Sequence, residues 1–318
     1  MKAKEQNSKK RVLIYVHFNK NNKIADYIEY QLRHINQLFD EIIFVSNSNV
    51  SINDKKKLNG FYNNFIQRNN EGFDFAGWRD GLKSVGWKTI EKFDSLTLMN
   101  DTCFGPIYPM EEVYKKMEKS KADFWGMTDH CSTTHGMPGT NGPVPEHIQS
   151  YFMVFKRNVI KSKTFKKFWE EVTNSNDVTF VIQNYETQLT KILNNAGFEH
   201  SLFFNYGEYY VGKKNNLLGE VSFRYPKILI NTKTPLIKVK SFLQNFDSLS
   251  FRNLIRYINK KTNYPTKLIK EHINNIYASR EILRIRLKTL VLLTLIHTKR
   301  LLFILLKPAV WIKKRLLK

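Results

Sequence analysis

Cysteine is scarce in this 318-residue sequence, which contains only Cys103 and Cys131. Two cysteines are too few for a disulfide-rich scaffold. The first ten residues, MKAKEQNSKK, are charged and polar, so the apolar core of a signal peptide is missing as well. We therefore expect a cytoplasmic protein whose two thiols are reduced and serve as small buried side chains.

Long apolar runs are equally scarce. The longest charge-free stretch near the C-terminus is Thr289 to Thr298, much shorter than the roughly 20 apolar residues of a membrane-spanning helix. The sequence also contains no G-x-x-x-x-G-K-[ST] phosphate loop, no zinc-ligand spacing, no helix-turn-helix signature and no internal repeat. These absences argue against a P-loop nucleotidase, a structural zinc protein, a repeat protein and a standard nucleic-acid-binding module.

Positive charge is what the sequence has in excess. Lys and Arg number 51 against 28 acidic residues, which gives a formal net charge of +23. Residues 280–318 alone contain eleven Lys or Arg and one acid, Glu281, so this segment carries +10. Its cations alternate with Leu, Ile, Phe and Trp311, which favours a helix lying in the plane of an anionic bilayer surface. Packing of this segment on the main domain and contact with nucleic acid are the alternatives.

Apolar runs alternate with helical patterns along the first half of the chain. The runs that predict buried strands include RVLIYVHF, EIIFVSNS, SLTLMNDT and ADFWGMTD. This alternation predicts an α/β fold with a mostly parallel, Rossmann-type sheet covered by helices on both faces. Asn47, Asp101 and Asp129 stand at the ends of three of these strands. Because right-handed crossovers bring the ends of parallel strands to one edge, we expect a ligand site there.

A glycine-rich segment, NNEGFDFAGWRDGL from Asn69 to Leu82, leads from a short strand into a helix. The free N–H groups at the start of such a helix suit a phosphate, and Arg79 adds a charged fork. The alternative is a tight turn in which Arg79 and Asp80 form a structural ion pair. The candidate ligand-binding residues of the whole chain are His17, Asn47, Asn70, Asp74, Arg79, Asp80, Asp101, His147 and Lys238.

Five segments in order carry a resemblance to a known family. They are NEGFDFAGWRDGL, LTLMNDTCFGPIYP, DFWGMTD, HIQSYFMVF and PLIKVKSF. Together they resemble the landmarks of the rhamnan synthesis protein F family, bacterial glycosyltransferases that build rhamnose-containing cell-surface polysaccharides such as lipopolysaccharide or capsule. The resemblance covers about Arg11 to Phe242. We therefore divide the chain into a transferase domain, 1–242, and a basic helical, membrane-associating region, 243–318.

The family is similar to GT-A nucleotide-sugar transferases, whose sheet bears an Asp-x-Asp motif at a strand end. Here that position reads Asn100-Asp101-Thr102, with one carboxylate instead of two. The resemblance implies that Asp101 ligates Mg²⁺ or Mn²⁺, with diphosphate oxygens and water completing the shell. The alternative is a metal-independent mechanism in which cations such as Arg79 hold the diphosphate. Asn47 stands where many such enzymes place an Asp against the nucleotide base.

The implied reaction needs a general base as well as a neutralised leaving group. If the donor is dTDP-β-L-rhamnose and the product an α-linkage, the configuration inverts, and one base that deprotonates the acceptor hydroxyl suffices. Glu186 and Asp129 are the two candidates for this catalytic role. His147 is a candidate for contact with the diphosphate or the acceptor, and Lys238 for contact with a phosphate of a lipid-linked acceptor. The segment from His130 to Pro145 is a candidate lid, with plain disorder as the alternative.

We therefore expect an inverting rhamnosyltransferase that extends a lipid-linked polysaccharide on the cytoplasmic face of the cell membrane. Its partners are a nucleotide-sugar donor, a lipid-linked glycan acceptor and the inner membrane surface, and nucleic acid is not among them. Two alternatives remain. One is a transferase of another nucleotide sugar on the same scaffold, and the other is a non-catalytic polysaccharide-assembly protein.

Overall fold

The computed structural model of the protein describes residues 9–132, 140–205, 221–247, 249–295 and 298. Residues 133–139 of the predicted lid, most of the basic tail after residue 295, and Trp311 lie outside this description.

A seven-stranded sheet forms the centre of the fold, in the order β10-β6-β9-β4-β1-β2-β3. Its strands are β1 (Arg11–His17), β2 (Glu41–Ser46), β3 (Asn64–Gln67), β4 (Ser95–Asn100), β6 (Phe124–Gly126), β9 (Phe152–Lys156) and β10 (His200–Leu202). Neighbouring strands run parallel except at β9, which is antiparallel to both β4 and β6. The predicted mostly parallel α/β sheet is therefore confirmed.

Two short antiparallel pairs stand beside the main sheet. In the first, β5 (Cys103–Phe104) pairs with β11 (Ile237–Lys238), which brings Lys238 opposite Cys103. In the second, β7 (Asp129–His130) pairs with β8 (His147–Ile148). The first pair carries the segment after β11 back to the end of β4, although more than a hundred residues separate the two in sequence.

Helices cover both faces of the sheet, because its central strands are apolar on both sides. The helices up to residue 195 are α1 (Asp26–Ile35), α2 (Ile52–Lys56), α3 (Phe73–Val85), α4 (Trp87–Ile90), α5 (Met110–Met117), α6 (Arg157–Lys161), α7 (Lys163–Glu171), α8 (Val178–Val181) and α9 (Thr187–Asn195). One cluster of buried side chains joins α1 and α5 to the sheet, and a second joins α3, α7 and α9 to its other face.

Glycines in the segment before and within α3 have structural reasons to be glycine. Gly72 has φ +77, and a Cβ there would meet Ala76 at 2.5 Å. A Cβ at Gly81 would meet the Ile14 side chain at 2.5 Å, because α3 lies directly on β1. Close approach at Gly81 is therefore between helix and sheet.

Five helices lie between residues 221 and 276, and all but the first contribute to the cluster of buried side chains that contains α1. They are α10 (Val221–Arg224), α11 (Pro226–Asn231), α12 (Ser241–Gln244), α13 (Phe251–Lys261) and α14 (Lys267–Ile276). Ile258 of α13 and Ile269 of α14 are fully buried in the cluster that contains α1. The domain boundary after residue 242 stays a prediction, but packing on the main domain extends at least to the end of α14.

Residues 279–295 form a further helix, called the basic helix below. Its leucines at positions 283, 287 and 290 are more than half exposed. Within the described part of the chain, no helix combines the length and the apolar character needed to cross a membrane.

Candidate active site

A cavity of about 540 Å³ opens at the carboxyl end of β1 and β4. Its walls come from distant parts of the sequence, which the sheet brings to one edge. The lining residues used below are Phe18, Lys20, Tyr27, Asn70, Asp74, Asn100, Asp101, Ser150, Tyr151, Val178, Glu186, Lys238, Lys240, His272 and Tyr277. Of the predicted site residues, the fold brings Asn70, Asp74, Asp101, Glu186 and Lys238 together here.

Asp101 follows the last residue of β4 and faces this cavity. One carboxylate oxygen, Oδ2, accepts a hydrogen bond from the Phe18 N–H at 2.9 Å. The Tyr27 hydroxyl donates to the Asp101 carbonyl oxygen at 2.6 Å, which fixes the backbone at the strand end. Burial raises the pKa of Asp101 well above its ordinary value, and the charge of Asp74 raises it further. Asp101 is thus a positioned acid, and no Lys or Arg in the described part of the chain forms an ion pair with it.

Asn100 joins this acid to a second one. Its Nδ2 donates to Asp74 Oδ2 at 2.8 Å, and its Oδ1 accepts from the Thr102 hydroxyl at 2.6 Å. Burial raises the pKa of Asp74 to about 6, with the Glu186 charge adding to the rise and the Asn100 hydrogen bond opposing it. The sequence Asn100-Asp101-Thr102 therefore does more than place one carboxylate, because its amide also holds Asp74 in the cavity.

Glu186 enters the cavity from a π-helical turn, Ile182–Glu186, between α8 and α9. Such turns insert an extra residue into a helix and are frequent at functional sites. Glu186 Oε1 accepts a hydrogen bond from the Ser150 hydroxyl at 2.7 Å. The neighbouring Tyr185 is buried, and its hydroxyl accepts from the Thr173 N–H at 3.0 Å. The π-helical geometry thereby places Glu186 at the cavity, while the buried Tyr185 fixes the position of the turn.

Three lysines bring positive charge to the same cavity: Lys20, Lys238 and Lys240. Lys238 donates to Gln149 Oε1 at 2.5 Å, and its ammonium lies 5.1 Å from the centre of the Tyr151 ring. The Lys20 ammonium lies 5.9 Å from the Tyr277 ring. Since acids and cations line one space, the cavity suits a ligand that carries both hydroxyl groups and negative charge.

The described residues contain no group of three His, Cys, Asp or Glu side chains arranged to hold a metal ion. The carboxylate oxygens of Asp101 and Asp74 at the end of β4 are nonetheless the type of metal ligand that Mg²⁺ and Mn²⁺ prefer. Burial raises the pKa of both acids, and a bound cation would favour their ionised forms. The residues fit a divalent ion only if a bound diphosphate and water supply the other ligands.

Arg79 and Asp80 do not line the cavity and belong instead to an ion-pair network beside it. Asp80 accepts from Arg79 Nε at 2.8 Å and from Arg68 Nε at 2.7 Å. Arg68 also donates to Asn47 Oδ1 at 2.8 Å. We call Arg68, Arg79, Asp80 and Asn47 the arginine network. The alternative interpretation of Arg79 and Asp80 as a structural ion pair therefore matches the observed contacts, and Arg68 is a partner that the sequence did not indicate. A ligand-binding role for Arg79 and Asp80 stays a prediction.

Asn47 and Asn70 line a second, smaller pocket of about 400 Å³ beside the arginine network. Its remaining lining residues are Asn49, Gln67, Arg68 and Asn69. Asn47 Nδ2 donates to the Phe73 carbonyl at 3.1 Å, so both ends of this amide are used within the protein. Asn70 lines both spaces and is the point where they adjoin.

Three other predicted residues are not among those that line the cavity. His17 is fully buried at the end of β1, with Nδ1 3.0 Å from the Ser46 hydroxyl, and burial lowers its pKa to about 4. Asp129 and His147 lie in the β7–β8 pair, where the His130 and His147 rings stack at 5.3 Å. Glu186 is thus the candidate base that reaches the cavity, and a catalytic role for Asp129 stays a prediction.

His272 of α14 also lines the cavity, and no sequence pattern predicts it there. Its ring packs edge-on against Tyr27 at 4.6 Å, and burial lowers its pKa to about 4, which keeps the imidazole neutral. It lies more than 170 residues after Asp101 in the chain. Its neighbourhood in the sequence is an ordinary amphipathic helix, so only the docking of α14 on α1 reveals it.

The chain is similar in sequence to a described protein family and to several known proteins. A family model described as rhamnan synthesis protein F matches residues 42–303. The uncharacterized protein y4gN of Sinorhizobium fredii is 30% identical over 168 residues, which are 53% of this chain and 42% of that protein. Virulence protein VirA of Vibrio anguillarum is 28% identical over 141 residues, or 43% of this chain and 41% of that protein. The chain thus spans about two fifths of the length of the curated relatives it matches.

Solved structures with a similar course of the chain include a 4-diphosphocytidyl-2C-methyl-D-erythritol synthase from Anaerococcus prevotii. Its TM-score is 0.38 at 12% identity, over 63% of this chain and 90% of that one. A core-mannan synthase A from Aspergillus fumigatus, in an Mn/GDP form, has a TM-score of 0.38 at 9% identity, over 64% of this chain and 74% of that one.

Proposed function

This chain belongs to the rhamnan synthesis protein F family, and from that premise we propose that it is a glycosyltransferase that uses a nucleotide-activated sugar. The observation that carries the proposal is the cavity at the carboxyl edge of the sheet. Asp101, Asp74 and Glu186 share it with Lys20, Lys238 and Lys240. Transfer from a nucleotide sugar needs both sets of groups, because a diphosphate leaves while a hydroxyl loses its proton.

The proposed donor is dTDP-rhamnose, and the proposed reaction inverts the anomeric configuration. The family description, rhamnan synthesis, supports the sugar. In this scheme the acceptor hydroxyl attacks the anomeric carbon, the bond to the diphosphate breaks, and Glu186 takes the hydroxyl proton. Ser150 donates to one oxygen of Glu186 at 2.7 Å, which leaves the other oxygen to accept the proton in this scheme.

Asp101 and Asp74 are the residues that would hold a divalent cation in this proposal. When bound, Mg²⁺ or Mn²⁺ would neutralise the diphosphate as it leaves. The protein's own part is to keep the two carboxylates in place: the Phe18 N–H holds Asp101, and Asn100 holds Asp74. Lys238 ends β11 and Lys240 follows it two residues later; both line the cavity and would attract the remaining phosphate charge.

The proposed acceptor is a lipid-linked glycan at the cytoplasmic face of the cell membrane. The basic helix supports this location, since Arg280, Arg284 and Lys288 alternate with exposed Leu283 and Leu287 along it. An acceptor on a lipid carrier confines the reaction to the membrane surface. An enzyme held at that surface meets such an acceptor more often than one in solution.

The test is transfer by the purified chain with a panel of nucleotide sugars, with a total lipid extract as the source of acceptor. We expect nucleotide diphosphate release and a glycosylated lipid with dTDP-rhamnose, and loss of both with Asp101→Asn. Asp26→Asn is the matched control, because Asp26 is an exposed acid outside this cavity. Full transfer by Asp101→Asn would contradict the proposal, and so would the absence of any response to every dTDP- and UDP-sugar.

A further inference from the structure

Exposed apolar side chains occur at the active-site cavity and on the basic helix. Of the ten large apolar side chains exposed in the described part of the chain, six lie on the basic helix. Three more are Phe18, Val178 and Phe180, and the tenth is Ile52. Phe18 and Val178 line the cavity, and Phe180 lies two residues after Val178 in α8. We call Phe18, Val178 and Phe180 the apolar rim. Clusters of exposed apolar residues at one place mark an interaction surface.

The apolar rim and the basic helix are joined through one wall of the cavity. Tyr277 follows α14 and lines the cavity together with Phe18 and Val178. The Lys20 ammonium, two residues after Phe18, lies over the Tyr277 ring at 5.9 Å. The basic helix begins at residue 279, only two residues after Tyr277. A surface that engages the beginning of this helix therefore lies next to the cavity mouth.

The chemistry of this combined surface matches an anionic lipid bilayer. On the basic helix, Arg280, Arg284 and Lys288 alternate with leucines over three turns. Lys20 and Lys240 add exposed cations at the cavity itself. The acids near this surface are Asp177 beside Val178, Glu281 on the helix, and the cavity acids Asp74, Asp101 and Glu186. Exposed apolar side chains flanked by cations are typical of proteins that lie in the headgroup region, where cations gain from anionic lipids.

We propose that the apolar rim is a second bilayer-contacting surface, which acts with the basic helix to hold the cavity mouth against an anionic membrane. The inference rests on the proposed function for its meaning: the acceptor then enters the cavity from the lipid side. The contact of these side chains with lipid can be measured whether or not the chain transfers a sugar. The donor, which is soluble, enters from the side of the cavity that faces water.

Vesicle sedimentation of the full chain tests the inference. The probes are vesicles of phosphatidylglycerol mixed with phosphatidylcholine, and vesicles of phosphatidylcholine alone. We expect the Val178→Ser, Phe180→Ser double variant to bind the anionic vesicles about tenfold more weakly than the unmodified chain, since two apolar side chains lose their lipid contact. Ile52→Ser is the matched control, because Ile52 is 74% exposed on α2, away from the cavity lining. Equal binding by the double variant, or an equal loss with Ile52→Ser, would overturn the inference.

A second measurement uses the unmodified chain and so does not depend on the folding of a variant. Phe180 packs on Tyr185 with ring centres 5.7 Å apart, so the double variant also loses a packing contact. A measurement without any substitution therefore complements it. We expect anionic vesicles to slow amide hydrogen exchange at residues 18–21 and 177–182, and to leave residues 52–56 unchanged. Unchanged exchange at the apolar rim, while the chain sediments with the vesicles, would show that only the basic helix touches lipid.

These two readouts need no sugar donor. Failure of glycosyl transfer with normal protection of the apolar rim would therefore count against the proposed function alone. Failure of protection with normal transfer would count against the inference alone. If a protein rather than a bilayer covers the apolar rim, vesicles of either composition leave it unprotected, which also overturns the inference.

Discussion

Two groups of charged side chains stand at the same edge of the sheet and differ in how their charges are satisfied. In the arginine network, Asp80 bridges two arginines whose side chains are only 10% and 11% exposed. In the cavity, by contrast, no Lys or Arg of the described chain forms an ion pair with Asp74, Asp101 or Glu186. Ionisable groups with unsatisfied charge in a cavity are typical of active sites, whereas satisfied networks are typical of scaffolds.

The arginine network therefore stabilises this edge of the sheet, whereas the acids of the cavity are available for binding and catalysis. The arginine network ties the end of β2 to α3 through Asn47 and Asp80. The acids of the cavity are instead held by neutral donors, namely the Phe18 N–H, the Asn100 amide and the Ser150 hydroxyl. Neutral donors position an acid without cancelling its charge, which leaves that charge available to a cation or to a proton. Substitutions in the two regions are therefore expected to have opposite kinds of effect.

The largest expected effect is that of Glu186→Gln on turnover. If Glu186 is the general base, the amide cannot accept the proton, and we expect kcat to fall by a factor on the order of 10² to 10⁴. Steady-state kinetics with saturating donor measures this, and the thermal midpoint is expected to stay within a few degrees of the unmodified chain. Glu171→Gln, on an exposed part of α7, is the matched control. A kcat reduced less than tenfold would remove Glu186 from this role.

In the arginine network, Asp80→Asn is expected to affect stability instead. It leaves Arg68 and Arg79 adjacent and largely buried without their shared counter-charge, at a cost of about 3 kcal/mol in unfolding free energy. Urea unfolding at neutral pH measures the change. Asp40→Asn, which removes a carboxylate that accepts from a backbone N–H at the sheet surface, is the comparison. If Asp80→Asn unfolds like the unmodified chain, the two regions do not differ as described.

Asp74→Asn is expected to do the reverse and stabilise the protein in the absence of added metal. The pKa of Asp74 is raised in the folded state from about 3.8 to about 6. The folded protein therefore holds this proton more tightly than the unfolded chain, and stability falls as the pH rises through that range. The amide has no such loss and can still accept from Asn100. Above pH 6 we expect the variant to be more stable by about 2 kcal/mol, with no difference below pH 4.

Urea unfolding as a function of pH, in the presence of a chelator, checks this expectation. A difference that is constant from pH 4 to pH 7 would mean that burial of Asp74 is not the cause. Added Mn²⁺ is expected to shrink the difference, because a cation near Asp74 favours its ionised form.

The smallest expected effect is that of Ser150→Ala. It removes the hydroxyl that positions Glu186 and is expected to lower kcat by up to about tenfold, with KM for the donor unchanged. The pH profile distinguishes positioning from packing: loss of a donor to the carboxylate disfavours the ionised base and moves the acidic limb of kcat to higher pH. Ser150→Thr, which keeps the hydroxyl, is expected to restore the profile. An unchanged profile in Ser150→Ala would give the hydroxyl a structural role only.

The sequence predicted the framework of the fold and the central acid of the cavity. Apolar runs such as RVLIYVHF and SLTLMNDT correspond to β1 and β4, because strands buried on both faces have little choice of residue type. Asp101 was predicted at the ligand-binding edge, and it lines the cavity there. Local patterns suffice for these features since each depends on a few neighbouring residues.

The remaining features depend on contacts between distant segments. Periodicity does not give strand direction, so the antiparallel β9 was not foreseen. A π-helical turn at Glu186 has the same residue pattern as an α-helix. Arg68 and His272 have ordinary neighbours in sequence and gain their positions from the packing of α3 and α14. The glycine-rich segment predicts a phosphate-binding helix start or a tight turn, and its local pattern does not show that Gly81 lies against Ile14 of the sheet.

The central claim is that Asp101 and its cavity bind the diphosphate of an activated sugar. The most direct measurement is the thermal midpoint of the full chain, titrated with dTDP and Mn²⁺ together and each alone. We predict a concentration-dependent rise with the two together in the unmodified chain and in Asp26→Asn, and no rise in Asp101→Asn. An equal rise in Asp101→Asn, or no rise in any of the three proteins, would contradict the claim.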